Sequence, residues 1–386
     1  MKRKEAIIRG LKSFDYLLAL MVIGVSVFGI VMIHAATHNT ANAGALWQQQ
    51  RFHVITGVIL MIGFSIIDYR HITKLYLVIY GFMMAMLIAL MILGPDPITN
   101  TARWLPVPIP GIGVFSIQPS EFAKIFMILF LAKLLDVKQD SFNRVLWLGV
   151  VLLTFAVPVY MVFDQPSLSA SLVILFASLV VLFVAGLKFR YILIFALVIL
   201  PILLLLWFDL QREYPLFLYR IFGEYQVGRV RAFIYPDNPD AVRQVEQSIR
   251  AIAAGGLSGV GFMQHTSPLI LPHNDLIFAV IAEQFGFIGS AVLIGVILLI
   301  VVKCSLIALK AIDLQGRLIA AGVAGMLVFE TFVHVGVTTG MLPTTGMPFP
   351  FVSYGGSMIW VHMIAMGIVL NVGLERDIDE FDEDLL

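Results

Sequence analysis

Seven consecutive residues, Gln118-Pro119-Ser120-Glu121-Phe122-Ala123-Lys124, put an acid and a base three positions apart at the start of an apolar run. Pro119 suits the first helical position, where its missing N–H would be unpaired anyway. Glu121 then falls in the first turn, near the positive end of the helix dipole, and can pair with Lys124 on one face. This is either a capped helix with a structural ion pair or a polar cluster lining an outward-facing cavity. A second stretch, Leu271-Pro272-His273-Asn274-Asp275-Leu276-Ile277-Phe278-Ala279, leads from a polar segment into another apolar run. Asp275 falls at or near the helix N-cap, at a lipid–water boundary, and Asp is a favoured cap. The other role open to it is a general base beside a dry apolar wall, since burial raises a carboxyl from its reference value of about 3.9. Glu283 lies about two turns deeper on roughly the same face and needs a partner. Glu330 and His334, four apart, can pair within a later run.

Arg220, Arg229, Arg231, Arg243 and Arg250 fall in the polar segment before Asp275. They suit an anionic ligand such as a pyrophosphate, or ordinary surface pairs with Glu224, Asp237 or Glu246. Gly255-Gly256-Leu257-Ser258-Gly259-Val260-Gly261 could offer backbone N–H groups to phosphate; the plainer reading is a flexible turn. Pro343 to Pro350, followed by Phe351-Val352-Ser353-Tyr354-Gly355-Gly356-Ser357, break and restart a helix, either as a site wall or as a packing device. The eight histidines show no metal-ligand spacing, so no zinc site is expected. The single Cys304 excludes an internal disulfide and reads as an inert apolar residue. No Walker-type glycine loop and no HExxH occurs, which argues against an ATP-driven pump or a zinc protease of that type.

The elements that must position these groups are membrane spans. Hydrophobic residues make up 60% of the 386 and charged residues 13%, against about a quarter charged in a soluble domain. Lipid must cover part of that apolar surface. The fold class is therefore an all-α integral membrane protein, one polytopic domain over 1–386, with apolar runs at 15–36, 52–67, 73–94, 118–136, 144–163, 166–186, 189–209, 275–303, 316–340 and 350–373. That is about ten transmembrane helices, and the pair around Asp164-Gln165-Pro166 could also be one broken helix. The first run follows a basic start but is long enough to span, so it reads as an uncleaved span. Lys and Arg cluster in alternate connections, which puts 1–14 and the acidic tail 374–386 in the cytoplasm, the tail as a solvated end. The large extracytoplasmic loop, 210–274, lies between spans 7 and 8. With net charge zero, nucleic acid is not expected as a partner.

Four motifs match a known family: Arg103-Trp104-Leu105 followed by QPSExxK at 118–124; YQxxR at 225–229; GGLSGxGF with PHNDLIFA; and GMLPTTGMPFPFVSYGGS at 340–357. Over nearly its whole length the chain resembles the SEDS family of shape, elongation, division and sporulation proteins, its elongation members most of all. The resemblance implies a peptidoglycan glycosyltransferase of the bacterial cytoplasmic membrane. Such an enzyme polymerises lipid II outside the membrane, releases undecaprenyl pyrophosphate and works with a class B penicillin-binding protein. It implies that Asp275 is catalytic and that Glu121, Lys124, Arg103 and Arg229 meet substrate, with Ser353 and Tyr354 of the last motif as further contacts. Two positions depart from the family. Ser167 stands where an Asp is usual in a QPDLGT segment, and His334 where an Asn is common. No cofactor is required by this reading; a divalent cation, Mg2+ or Mn2+, stays open, with its case weakened by Ser167. A lipid II flippase and a scaffold for a penicillin-binding protein are the rival functions.

Overall fold

The computed structural model describes residues 14–38, 43–94, 103–109, 113–139, 144–165, 167–212, 215–235, 239–264, 266 and 273–383. Its helices are α1 (Tyr16–Thr37), α2 (Ala43–Ile66), the short α3 (Tyr69–Lys74), α4 (Tyr76–Leu93), α5 (Pro119–Val137), α6 (Val145–Asp164), α7 (Leu168–Val184), α8 (Phe189–Leu210), α9 (Leu216–Ile234), α10 (Pro239–Gly255), α11 (Ile277–Lys310), α12 (Leu314–Thr338) and α13 (Gly356–Glu383). Long helices fall on all ten expected runs. By length and composition, α1, α4, α6, α11, α12 and α13 qualify as spans among the described residues. The other runs are held by α2 and α5, which carry charges, by α7, which has 17 residues, and by α8.

Several expectations need correction. The Asp164–Gln165–Pro166 region is not one broken helix, since α6 ends at Asp164 and α7 starts at Leu168. The segment 210–274 is not mainly loop but carries α9 and α10. Helix α13 continues through the acidic stretch to Glu383. An antiparallel hairpin, β1 (Leu105–Ile109) and β2 (Gly113–Ile117), adds a small sheet to an otherwise helical fold, pairing Leu105 with Ile117 and Ile109 with Gly113. Pro106 and Pro108 suit such a two-stranded edge, where a missing N–H costs little. The N-terminal segment 1–13 lies outside the described residues.

Local caps start the helices as their sequences dictate. Asp15 Oδ1 accepts the Leu18 amide at 3.0 Å, and Asp313 accepts the Gly316 amide at 2.7 Å. Pro119 opens α5. At the end of the bundle away from the cavity described below, Lys303 pairs with Asp15 at 2.8 Å and Arg70 with Asp313 at 3.0 Å. These cations belong to the set that the charge pattern puts on one face.

The core is built on close helix crossings. A Cβ added at Gly367 of α13 would lie 2.5 Å from the Met61 carbonyl of α2, and one at Gly57 would lie 2.9 Å from Met363. Small residues let two backbones approach this closely where lipid supplies no hydrophobic drive between helices. Helix α12 is buried between α11, α7 and α5, and many large apolar side chains on α4, α6 and α8 face outward, as a lipid-covered surface requires.

Helix α11 is broken. Gly286 adopts φ 66° and ψ −164°, separating a nine-residue half-helix, 277–285, from the long remainder. The glycine-rich segment fills the break: Val260 and Gly261 amides donate to the Glu283 and Gln284 carbonyls at 2.9 and 3.2 Å, and Phe287 and Ile288 amides donate to Gly256 and Leu257 carbonyls at 2.9 and 3.1 Å. A Cβ at Gly286 would sit 2.4 Å from the Gly259 nitrogen. The segment is therefore neither a phosphate cradle nor a flexible turn. The Val260 and Gly261 amides and the Gly256 and Leu257 carbonyls are committed to the backbone groups that the break in α11 leaves open.

Candidate active site

His273, Asn274 and Asp275, just ahead of the half-helix 277–285, line a cavity of about 1230 Å³. The same cavity receives the beginnings of α2, α5, α7 and α13, Arg103 and Trp104 before the hairpin, Arg229 of α9, and the irregular run from Thr345 to Pro348. Asp275, Glu121, Lys124, Arg103, Arg229 and Tyr354, far apart in sequence, all line it.

Asp275 does not cap the helix. Helix α11 starts after Leu276, which makes no side-chain cap bond. The freed carboxyl is instead shaped by burial, which pushes it above the ordinary value of 3.8, and by the guanidiniums of Arg229 and then Arg103, which oppose that rise. Gly346 sits beside the pair: a Cβ there would lie 3.6 Å from Asp275 Oδ2 and 3.8 Å from Arg229 Nη1. Arg229 also donates to the Thr344 carbonyl at 3.2 Å, which ties α9 to the irregular run. Burial pushes the His273 imidazole down and the Tyr354 phenol up, favouring the uncharged form of each. Their rings meet edge to face at 5.6 Å.

Deeper in the cavity wall, Lys124 is 1% exposed and bridges two carboxylates, Glu121 at 2.7 Å and Glu330 at 2.6 Å. Glu330 does not pair with His334, as the four-residue spacing suggested. Its other oxygen faces His362 Nε2 at 2.6 Å, while His334 turns its Nδ1 to the Met347 carbonyl at 2.6 Å and so braces the irregular run. Glu283 finds its partner in Thr266, whose amide and hydroxyl both donate to it, at 2.7 and 2.6 Å.

Ser353, expected as a substrate contact, does not line the cavity. It is fully buried, and its hydroxyl donates to the Asn274 carbonyl and accepts from the Phe349 amide, both at 2.8 Å. Arg220, Arg231, Arg243 and Arg250 do not line the cavity, and Arg250 pairs with Glu246 at 3.3 Å on an exposed helix face. Sequence reasoning passed over Gln48, Gln49 and His53, which line the cavity from one side of α2. Their signal was a polar run, Gln48-Gln49-Gln50-Arg51-Phe52-His53, ahead of an apolar stretch.

The donor set does not fit a divalent cation. Among the described residues no three His, Cys, Asp or Glu side chains converge as ligands. Asp275 has two guanidiniums for neighbours, Glu121 is committed to Lys124, and residue 167 is a serine.

A sequence profile described as cell cycle protein, FtsW/RodA/SpoVE, matches residues 13–378. The chain belongs to this family. It is 31% identical to a probable peptidoglycan glycosyltransferase FtsW of Trichlorobacter lovleyi, over 94% of this chain and 93% of that one. It is 30% identical to the peptidoglycan glycosyltransferase RodA of Treponema pallidum, over 96% and 99%. Among solved structures, a chain from a peptidoglycan synthase complex, described for its coordination of polymerization and crosslinking, superposes with a TM-score of 0.77 at 28% identity, covering 94% of this chain and 98% of that one. Relatives within the family thus carry both FtsW and RodA names.

Proposed function

We propose that this chain is a peptidoglycan glycosyltransferase that joins lipid II units into glycan strands for cell elongation, on the extracytoplasmic face of the cytoplasmic membrane. One observation carries the reading: a single large cavity holds a part-buried carboxyl, Asp275, beside two arginines, in a chain whose named relatives are peptidoglycan glycosyltransferases. The donor is a growing glycan on undecaprenyl pyrophosphate and the acceptor is lipid II. Asp275 takes the proton of the acceptor sugar's 4-hydroxyl as that oxygen attacks the donor anomeric carbon. The bond from that carbon to the pyrophosphate breaks, and the leaving group departs with the electron pair. Arg103, Arg229 and Lys124 balance the charge that develops on it. The lipid tails lie in grooves between spans, of which there are ten, with α9 and α10 outside the bilayer. A class B penicillin-binding protein crosslinks the product alongside; the likeness to a chain of a peptidoglycan synthase complex supports that partner.

The test is direct. Purified protein in detergent, given lipid II, makes strands that separate by length on a gel. A flippase makes none, because it forms no bond and detergent leaves no leaflet to cross. Absence of strands, with and without the penicillin-binding protein, contradicts the proposal.

A further inference from the structure

We propose that Glu330 and His362 form a positioning couple for Lys124, holding its ammonium at the cavity wall with one N–H turned toward the substrate. The inference rests on the polymerase reading and adds two residues that the reaction scheme above does not use. A single chain of contacts joins three helices. Glu121 and Lys124 come from α5, Glu330 from α12 and His362 from α13. Lys124 has three N–H groups. Glu121 and Glu330 face two of them, and Lys124 is among the residues that line the cavity, which leaves the third for a substrate group.

Proton counting shows what His362 adds. Its Nδ1 faces the Met358 carbonyl at 2.7 Å, and a carbonyl only accepts, so Nδ1 carries a proton. Its Nε2 faces a carboxylate oxygen of Glu330 at 2.6 Å, so a second proton lies between them. With that proton counted, Glu121, Lys124, Glu330 and His362 sum to zero charge, whichever partner holds it. Without the imidazole the buried group carries a net negative charge, which is expensive in this setting. Glu330 would then draw the ammonium inward, away from the cavity. His362 is fully buried and does not line the cavity, so it acts only through Glu330 and Lys124.

A double-mutant cycle tests this, with Lys124→Met and His362→Leu singly and together. Each protein is assayed for strand formation from lipid II and for binding of undecaprenyl pyrophosphate in detergent. His362→Leu is expected to lower kcat/KM about tenfold in the native background and less than about twofold once Lys124 is gone. His362→Gln, which still donates one N–H to Glu330, recovers part of the loss. Binding of the pyrophosphate lipid follows the same coupled pattern, and this arm reports on the couple even if the chain makes no strands. Thermal midpoints are read alongside. Additive effects of the two substitutions, on binding or on turnover, overturn the inference, since His362 would then act by helix packing and not through Lys124.

Discussion

Ser353 Oγ donates to the carbonyl of Asn274, the residue before Asp275, at 2.8 Å. The bond stitches the turn entering α13 to the turn entering α11, and the Tyr354 amide adds a second stitch to the His273 carbonyl at 2.9 Å. The two residues just before Asp275 are thus held by the end of the irregular run. Ser353→Ala removes the hydroxyl and also leaves the Phe349 amide without its acceptor. It is expected to lower kcat for strand formation about tenfold or more with little change in KM, because a small misplacement of a reacting group is costly. Steady-state kinetics on lipid II checks this; a rise in KM alone would return Ser353 to substrate contact.

Asp275 must be deprotonated to act as a base. Burial raises its pKa and the arginines lower it. Activity is therefore lost as pH falls through a value above the ordinary 3.8. Arg229→Gln removes the larger opposing influence, so the acid limb of the kcat/KM profile moves to higher pH. A shift to lower pH, or none, would separate the limb from this carboxyl.

Gly286→Ala forces a side chain into backbone, with Leu257 and Gly259 atoms at 2.4 to 2.6 Å and φ at 66°. Neither side can give way, since the glycine segment is bonded to the broken helix on both flanks. We expect a loss of about 3 kcal/mol or more and poor recovery of folded protein. Gly295→Ala in the same helix meets nothing within 4 Å and serves as the control. Melting curves in detergent compare the two.

Glu330→Ala removes the buried acceptor between Lys124 and His362 and is expected to cost about 3–5 kcal/mol. Replacing Lys124 and Glu330 together by Met and Leu costs less in stability than Glu330→Ala alone, while strand formation falls to the low rate of Lys124→Met. Chemical unfolding midpoints, read beside activity, separate the two effects.

The sequence disclosed what is local. Glu121 and Lys124 lie within one helical turn, so their pairing followed from spacing, and the apolar runs followed from composition. Partners far along the chain stayed hidden. Glu330 had a histidine four residues away, yet its partners come from α5 and α13, because His334 is taken by Met347. The glycine-rich segment looked like a loop because the carbonyls and amides that bind it belong to a helix break some 25 residues later. That break rests on Gly286, whose neighbours in sequence are ordinary helix formers. Asp275 was legible as a group at or near the start of a helix, and the cap itself falls one residue later, on Leu276.

The central claim is that the Asp275 carboxylate, and no other group, accepts the acceptor sugar's proton. Asp275→Asn keeps size and shape and removes the basic oxygen. Purified and shown to melt like the parent, this variant given lipid II is expected to form no strands beyond the reagent blank. Strands of normal length at a rate near that of the parent would contradict the account.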